Sequence, residues 1–319
     1  MSDYRALLEE EIKNISLPVD NLPGLYQPIY YSLQNGGKRL RPILLLMTCD
    51  AFGGNVQNAL RAALGIEMFH NFTLVHDDVM DESEMRRGKP TVVNKWGRDT
   101  AILSGDTMLT LASQYMSEVP DTCLRPVLDE FNRIAIGVYE GQQLDMEFEK
   151  CEEVKLERYL EMIRLKTAVL MGAACSIGAR IAGASEEDCQ TMFTFGESLG
   201  MAFQIQDDYL DVYGDVATFG KPVGGDILNG KKTFLTIKTL EKEDSNAQAL
   251  KSAMQLPPTD LRVRTVRNIM TSAEMPRVCR KAWDEWSGHA IKSLADTSLN
   301  KEASSALKGV VEKLIDRKK

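Results

Sequence analysis

The sequence predicts an all-α fold, and three observations carry that expectation. Apolar residues recur at spacings of three and four, as in Leu156, Leu160, Ile163 and Ala168, and again in Leu307, Val310, Val311 and Leu314. Alternating strand patterns bounded by Asn-Gly or Asp-Gly are scarce. The periodic stretches break at short punctuation: Asn35-Gly36-Gly37, Gly53-Gly54, Val119-Pro120-Asp121, Gly220 to Gly225 and Pro257-Pro258. None of these breaks has the length or composition of a flexible linker, and no solenoid repeat is present. Residues 1–319 are therefore expected to form a single helical domain. Its last part, after Pro258, is a helical appendage with Ala282, Trp283, Trp286 and Ile291 on its apolar face.

Composition supports a folded core: 44 % of the 319 residues are hydrophobic and 26 % charged. The formal net charge of −8 argues against a nucleic-acid partner. Six scattered cysteines form no C-x-x-C pair, and the acidic, helical start lacks the character of a secretory signal. The cysteines read as reduced packing residues of a cytoplasmic protein. No apolar run reaches the roughly 18 residues a membrane span needs, so no span is expected.

Two acidic clusters stand out. The first, His76-Asp77-Asp78-Val79-Met80-Asp81, ends a strongly helical stretch, so that His70, Thr73, Asp77 and Asp81 share one stripe. Carboxylates at a helix C-terminus oppose the macrodipole, and like charges four residues apart repel. A divalent cation relieves both penalties, and all-oxygen ligation with few side chains suits Mg²⁺. The second cluster, Gln204-Ile205-Gln206-Asp207-Asp208-Tyr209-Leu210-Asp211, repeats the pattern behind apolar Phe195, Leu199 and Phe203. An EF-hand calcium loop is a poorer fit, since its ligands alternate around a central glycine. Opposed carboxylates around shared Mg²⁺ are the better expectation.

Basic elements accompany the acids. Gly36-Gly37-Lys38-Arg39-Leu40-Arg41-Pro42 sets a glycine turn before Lys38 and Arg41, a candidate diphosphate cradle without Walker spacing. Arg86-Arg87-Gly88-Lys89-Pro90 follows the first aspartates, and adjacent arginines can each clamp a separate phosphate group. Gly220-Lys221-Pro222 and Gly230-Lys231-Lys232-Thr233 follow the second. His70, on the aspartate stripe, is a candidate substrate contact.

In combination these motifs resemble the trans-isoprenyl diphosphate synthases, or polyprenyl synthetases. The resemblance spans nearly the whole chain and includes Gly141-Gln142-x-x-Asp145, Lys166-Thr167 and Phe203-Gln204 in the family's order. It implies the isoprenoid synthase fold, a single domain of about ten or more helices around a central cavity, usually a homodimer. It implies head-to-tail condensation of isopentenyl diphosphate with allylic diphosphates through ionisation, condensation and proton elimination. By that likeness Asp77 and Asp81 bind two Mg²⁺ ions and Asp207 a third, with Asp78, Asp208 and Asp211 in support. Arg86, Lys166, Lys221 and Lys231 hold the allylic diphosphate; Lys38, Arg41, His70 and Arg87 hold isopentenyl diphosphate. Thr167 and Gln204 turn their dipoles toward the cationic carbon, and pyrophosphate itself removes the last proton.

The family sets product length just before the first aspartate motif, here through Phe69, Phe72 and Thr73. Phe72, five residues before Asp77, resembles the geranylgeranyl pattern, with farnesyl diphosphate the second choice. A terpene cyclase and a non-catalytic partner subunit are disfavoured, because the second motif keeps its aspartates.

Overall fold

The computed structural model describes residues 2–214 and 223–315, so Lys221 and the Gly220 to Pro222 part of its motif lie outside the described residues. The described chain is helical almost throughout, as its periodicity predicts. Its one sheet is a two-residue antiparallel hairpin pairing Met85 with Pro90 and Arg86 with Lys89. The sequence breaks at 35–37, 53–54 and 257–258 fall between helices, and the break at 119–121 precedes a helix whose first residue is Asp121.

Two compact units divide the chain. The first holds Met1–Asn132, Ala173–Met192 and Ser298–Ala303; the second holds Arg133–Gly172, Phe193–Thr297 and Ser304–Lys319.

In the first unit, α1 (Ser2–Lys13), α2 (Pro23–Gln34), α3 (Leu40–Ala51), α5 (Val92–Trp96) and α6 (Arg98–Met116) pack around α4 (Val56–Met80). Asn55 starts α4 by accepting a hydrogen bond from the Gln57 amide, which satisfies one of the orphan donors of a helix N-terminus. Strands β1 (Met85–Arg86) and β2 (Lys89–Pro90) lie between α4 and α5. Two glycines admit close contact between α4 and α6. A Cβ on Gly65 would stand 3.1 Å from the Ala112 carbonyl, and one on Gly105 would collide with the His76 ring at 2.2 Å. His76 is thus seated on α6, with its Nε2 3.2 Å from the Ile102 carbonyl.

The second unit is built on parts of α7 (Asp121–Lys150), α9 (Val169–Ile181) and α10 (Glu186–Tyr213), together with α8 (Leu156–Ile163). Short α11 (Gly225–Leu228) and α12 (Phe234–Leu240) follow, then α13 (Ser245–Ala253), α14 (Asp260–Ser272), α15 (Met275–Ser293) and α16 (Lys301–Ile315). Its core gathers Tyr159, Ile163, Ile205, Leu235, Val266, Met270 and Trp283. Trp283 is buried as the appendage's apolar face predicts, with Ala282 and Trp286 partly buried beside it. Between α8 and α9 the helix widens into a π turn at Arg164–Ala168, a feature periodicity does not encode. The stretch Leu156–Ile181 has the length and apolarity to cross a membrane, but 78 % of its most apolar window is buried inside the protein, as in the core helix of a globular fold.

Close helix approach also orders this unit. A Cβ on Gly196 would lie 2.4 Å from the Met171 carbonyl, and one on Gly200 would lie 2.6 Å from Ala168 Cα. Both glycines let α10 run directly against backbone, Gly200 at the end of the π turn and Gly196 just beyond it in α9. Gly196→Ala should therefore cost about 1–3 kcal/mol by overpacking. An unchanged midpoint in denaturant unfolding of this variant would remove the close-approach account.

Candidate active site

The first aspartate motif closes α4. Asp77 is half-buried in its last turn, and Asp81 is the exposed C-cap, whose amide donates to the Asp77 carbonyl at 2.8 Å. The helical geometry thus carries through to Asp81, keeping the two carboxylates one turn apart on the predicted stripe. Asp78 turns inward, 3 % exposed, and accepts from the Arg86 guanidinium at 2.8 Å. A charge-assisted pair of this kind both steadies the buried carboxylate and orients the arginine.

Arg86 and Arg87 stand on the hairpin. Arg87 and Gly88 both have positive φ, 53° and 74°, the backbone of the tight turn that matches strand twist. Arg87 donates to the Gly36 carbonyl. Its guanidinium lies so near Gly37 that a Cβ there would meet Nη1 at 2.8 Å. The two basic elements read separately in the sequence are therefore joined. Burial pulls Arg87 below the ordinary arginine range, with Arg39 and Arg86 adding to the shift against the pull of Glu67.

Within the glycine turn, three basic residues have different fates. Lys38 is exposed and Arg41 half-buried. Arg39, with φ 51°, points into the protein to pair with Glu67 at 2.7 Å and Glu9 at 3.1 Å. Glu67 also accepts from Asn71 at 2.9 Å. This buried network anchors the turn from below, and the sequence alone did not disclose it. Arg41 Nη1 lies 3.5 Å from His70 Nε2. Burial, then the charges of Arg41, Arg87, Arg86 and Arg39, hold His70 well below its ordinary pKa. Its ring is neutral and accepts from Arg41.

Above that histidine, Thr73 donates its hydroxyl to the His70 carbonyl at 2.8 Å. Phe72 is buried against Phe69 and His76, with ring centroids 5.5 and 4.7 Å apart. Phe69 in turn meets Phe131 edge-on at 5.4 Å.

In the second unit, the second motif lies on α10. Asp207 is half-buried, Asp208 and Asp211 buried. Asp208 accepts from the Tyr159 hydroxyl, the Gln204 amide at 3.1 Å and the Phe234 backbone amide at the start of α12 at 2.9 Å. Burial is the main cause, with Asp226 nearby, of a pKa raised to about 7, against the pull of those three donors. Asp211 accepts the Asp226 amide at 3.1 Å, tying α11 to the motif.

A cleft beside Asp208 is lined by Asp145, Lys166, Thr167, Gln204, Lys231 and Lys232, among others. Lys166 donates to Asp145 at 2.6 Å, and Lys231 Nζ lies 3.8 Å from the same carboxylate. Thr167 donates to Gln204 Oε1 at 3.1 Å, so Tyr159, Asp208, Gln204 and Thr167 form one hydrogen-bonded chain. The π turn aims Lys166 and Thr167 into the cleft. Gly141 permits it, since a Cβ there would stand 2.3 Å from the Lys166 amide. Asp145, Tyr159 and Asp226 join the site residues that the sequence motifs point to. For Asp145 the signal was present: it lies one helical turn beyond Gly141-Gln142.

Among the described residues no group of three or more His, Cys, Asp or Glu is arranged to hold a metal alone. The donors at hand are carboxylate oxygens with few per ion. They suit a hard cation such as Mg²⁺, which keeps several waters, rather than a closed protein cage.

The sequence matches the family described as Polyprenyl synthetase over residues 23–270. It is 41 % identical to the geranylgeranyl diphosphate synthase of Sulfolobus acidocaldarius, over 94 % of this chain and 92 % of that one. A crystal structure of a geranylgeranyl pyrophosphate synthase superposes with a TM-score of 0.94 at 38 % identity, covering 100 % of this chain and 99 % of that chain. The geranylgeranyl pyrophosphate synthetase of Pyrococcus horikoshii gives 0.90 at 32 % identity, covering 99 % and 96 %.

The neutral His70 yields a test. Its folded pKa lies below the 6.5 of an exposed ring. The stability this represents is complete above pH 6.5 and lost as the pH falls toward the folded value. At pH 6.5 the ring-proton resonance of His70 should keep the neutral shift, where a free histidine is about half protonated. A half-titrated signal there would refute the neutral acceptor.

Proposed function

The chain belongs to the polyprenyl synthetase family, and from that premise we propose that it condenses isopentenyl diphosphate head to tail with allylic diphosphates to give geranylgeranyl diphosphate. The observation that carries this reading is the pairing of acid and base at each aspartate motif. Lysines and arginines are steadied by carboxylates beside the motif, Arg86 by Asp78 and Lys166 by Asp145, as the recognition of a magnesium diphosphate requires.

Asp77, Asp81 and Asp207 are the residues to hold Mg²⁺, three ions by the family likeness, with Asp78, Asp208 and Asp211 supporting them. Magnesium, when bound, neutralises the charge that develops on departing pyrophosphate. Lys166 and Lys231 bind the allylic diphosphate, with Lys221 assigned to it by likeness. Asp145 holds both described lysines in place until that anion arrives. Lys38, Arg41 and Arg87 bind isopentenyl diphosphate, and neutral His70 accepts from Arg41, fixing its guanidinium. Thr167 spends its proton on Gln204, which leaves the hydroxyl oxygen's lone pairs to face an allylic cation. Gln204 is itself oriented by its bond to Asp208. Preoriented dipoles of this kind stabilise developing charge without reorganising. Apolar side chains keep the cation from water.

Product length is assigned to Phe72 with Phe69 behind it, and to Thr73, whose small side chain leaves room beside them. The protein is further proposed to act as a cytoplasmic homodimer.

Incubation with isopentenyl diphosphate, each allylic diphosphate and Mg²⁺ should give mainly geranylgeranyl diphosphate, and chelation should stop the reaction. Asp77→Asn and Asp207→Asn should each lower kcat by about 10²–10³-fold. Wild-type levels in both would sink the proposal. Thr73→Phe should shorten the product and Phe72→Ala lengthen it; unchanged chain lengths in both would refute the length assignment alone.

A further inference from the structure

The second unit buries an arginine, Arg262, that no anion among the described residues pairs with. Arg262, on α14, is 9 % exposed. Its Nε is buried with no hydrogen-bond partner, and among the described residues the guanidinium makes a weak contact to the Met254 sulfur at 3.8 Å. No carboxylate among the described residues pairs with it, unlike buried Arg39 with its two glutamates. A buried charge left uncompensated lowers stability, and substitution by an apolar side chain of similar size is then neutral or stabilising.

The place of this cation gives it a use. A Cβ on Gly230 would stand 3.6 Å from Arg262 Nη2, so the guanidinium lies against the turn that carries Lys231 and Lys232 into the cleft. Gly230 takes φ 70° there, and the Lys231 amide closes the turn on the Asp226 carbonyl at 2.9 Å. The next residue of α14, Val263, packs on Gly224 at the other end of the same loop, where a Cβ would meet its methyl at 2.5 Å. The loop bearing Asp226, Lys231 and Lys232 therefore rests on one turn of α14, with the uncompensated charge facing its lysine end.

We propose that Arg262 is a positioning residue for diphosphate binding: a buried positive charge behind the Gly230-Lys231-Lys232 turn whose cost is offset only when an anionic diphosphate is bound in front of it. It touches no substrate. It sets the loop and biases it electrostatically toward the anion-bound state. The inference rests on the diphosphate-binding reading of the lysine cleft.

Arg262→Met, which keeps the length of the side chain and removes the charge, separates this role from a purely structural one. Without ligand, the variant should melt at the wild-type temperature or above. The rise in melting temperature on adding inorganic pyrophosphate with Mg²⁺ should shrink. KM for the allylic diphosphate should rise about tenfold, with kcat changed less than threefold and KM for isopentenyl diphosphate unchanged. Arg262→Lys, which keeps the charge, should restore the pyrophosphate response and bring the allylic KM to within about threefold of wild type. An Arg262→Met protein that is insoluble, melts earlier, or keeps wild-type KM and pyrophosphate response overturns the inference. So does an Arg262→Lys protein that behaves as Arg262→Met does. A wild-type protein that makes no prenyl product would refute the proposed function instead, and the pyrophosphate melting shift would still report on Arg262.

Discussion

A carboxylate buried at the end of a long helix is the constraint around which the second unit is organised. Asp208 is out of water, and an ionised carboxylate there is costly unless donors surround it. The donors come from three places in the chain: Tyr159 on α8, Gln204 one turn back on α10, and the first amide of α12. The last is a helix N-terminus, where partial positive charge favours an anion. Satisfying one side chain thus fixes where α8, α10 and α12 meet. Gln204 then sets Thr167, and the lysine cleft opens beside them.

A second constraint is backbone proximity. Gly141, Gly196 and Gly200 each stand where a methyl group would strike backbone at or beside the π turn. The wider turn points Lys166 and Thr167 toward the cleft, and the glycines make the space it needs. Local widening of this kind often occurs at functional positions. Here its effect is concrete: Lys166 reaches Asp145 across the gap that Gly141 leaves.

Much of this was legible in the sequence. Helical periodicity and short punctuation gave the all-helical chain and most of its breaks. The helix-end placement of both aspartate motifs followed from 3.6-residue spacing, because Asp77 and Asp81 needed no long-range contact to be aligned. What stayed hidden depends on tertiary partners. The two basic elements at Gly36 and Arg86 read as independent, since the bond from Arg87 to Gly36 joins residues 51 apart in the chain. Arg39 looked like its neighbours Lys38 and Arg41, yet its left-handed backbone turns it onto Glu67. Tyr159 and Asp226 carried no local signature at all. The π turn was invisible because its residues suit an ordinary helix equally well.

The same bond from Arg87 to Gly36 also decides how damage travels. The guanidinium fills the space where a side chain at position 37 would begin, so any bulk there pushes first on an arginine carried by a different loop. The carbonyl that holds this arginine belongs to a glycine turn whose own lysine faces solvent. Displacement of either loop thus disturbs two cations together, and the pair behaves as one mechanical body despite the sequence distance between its halves.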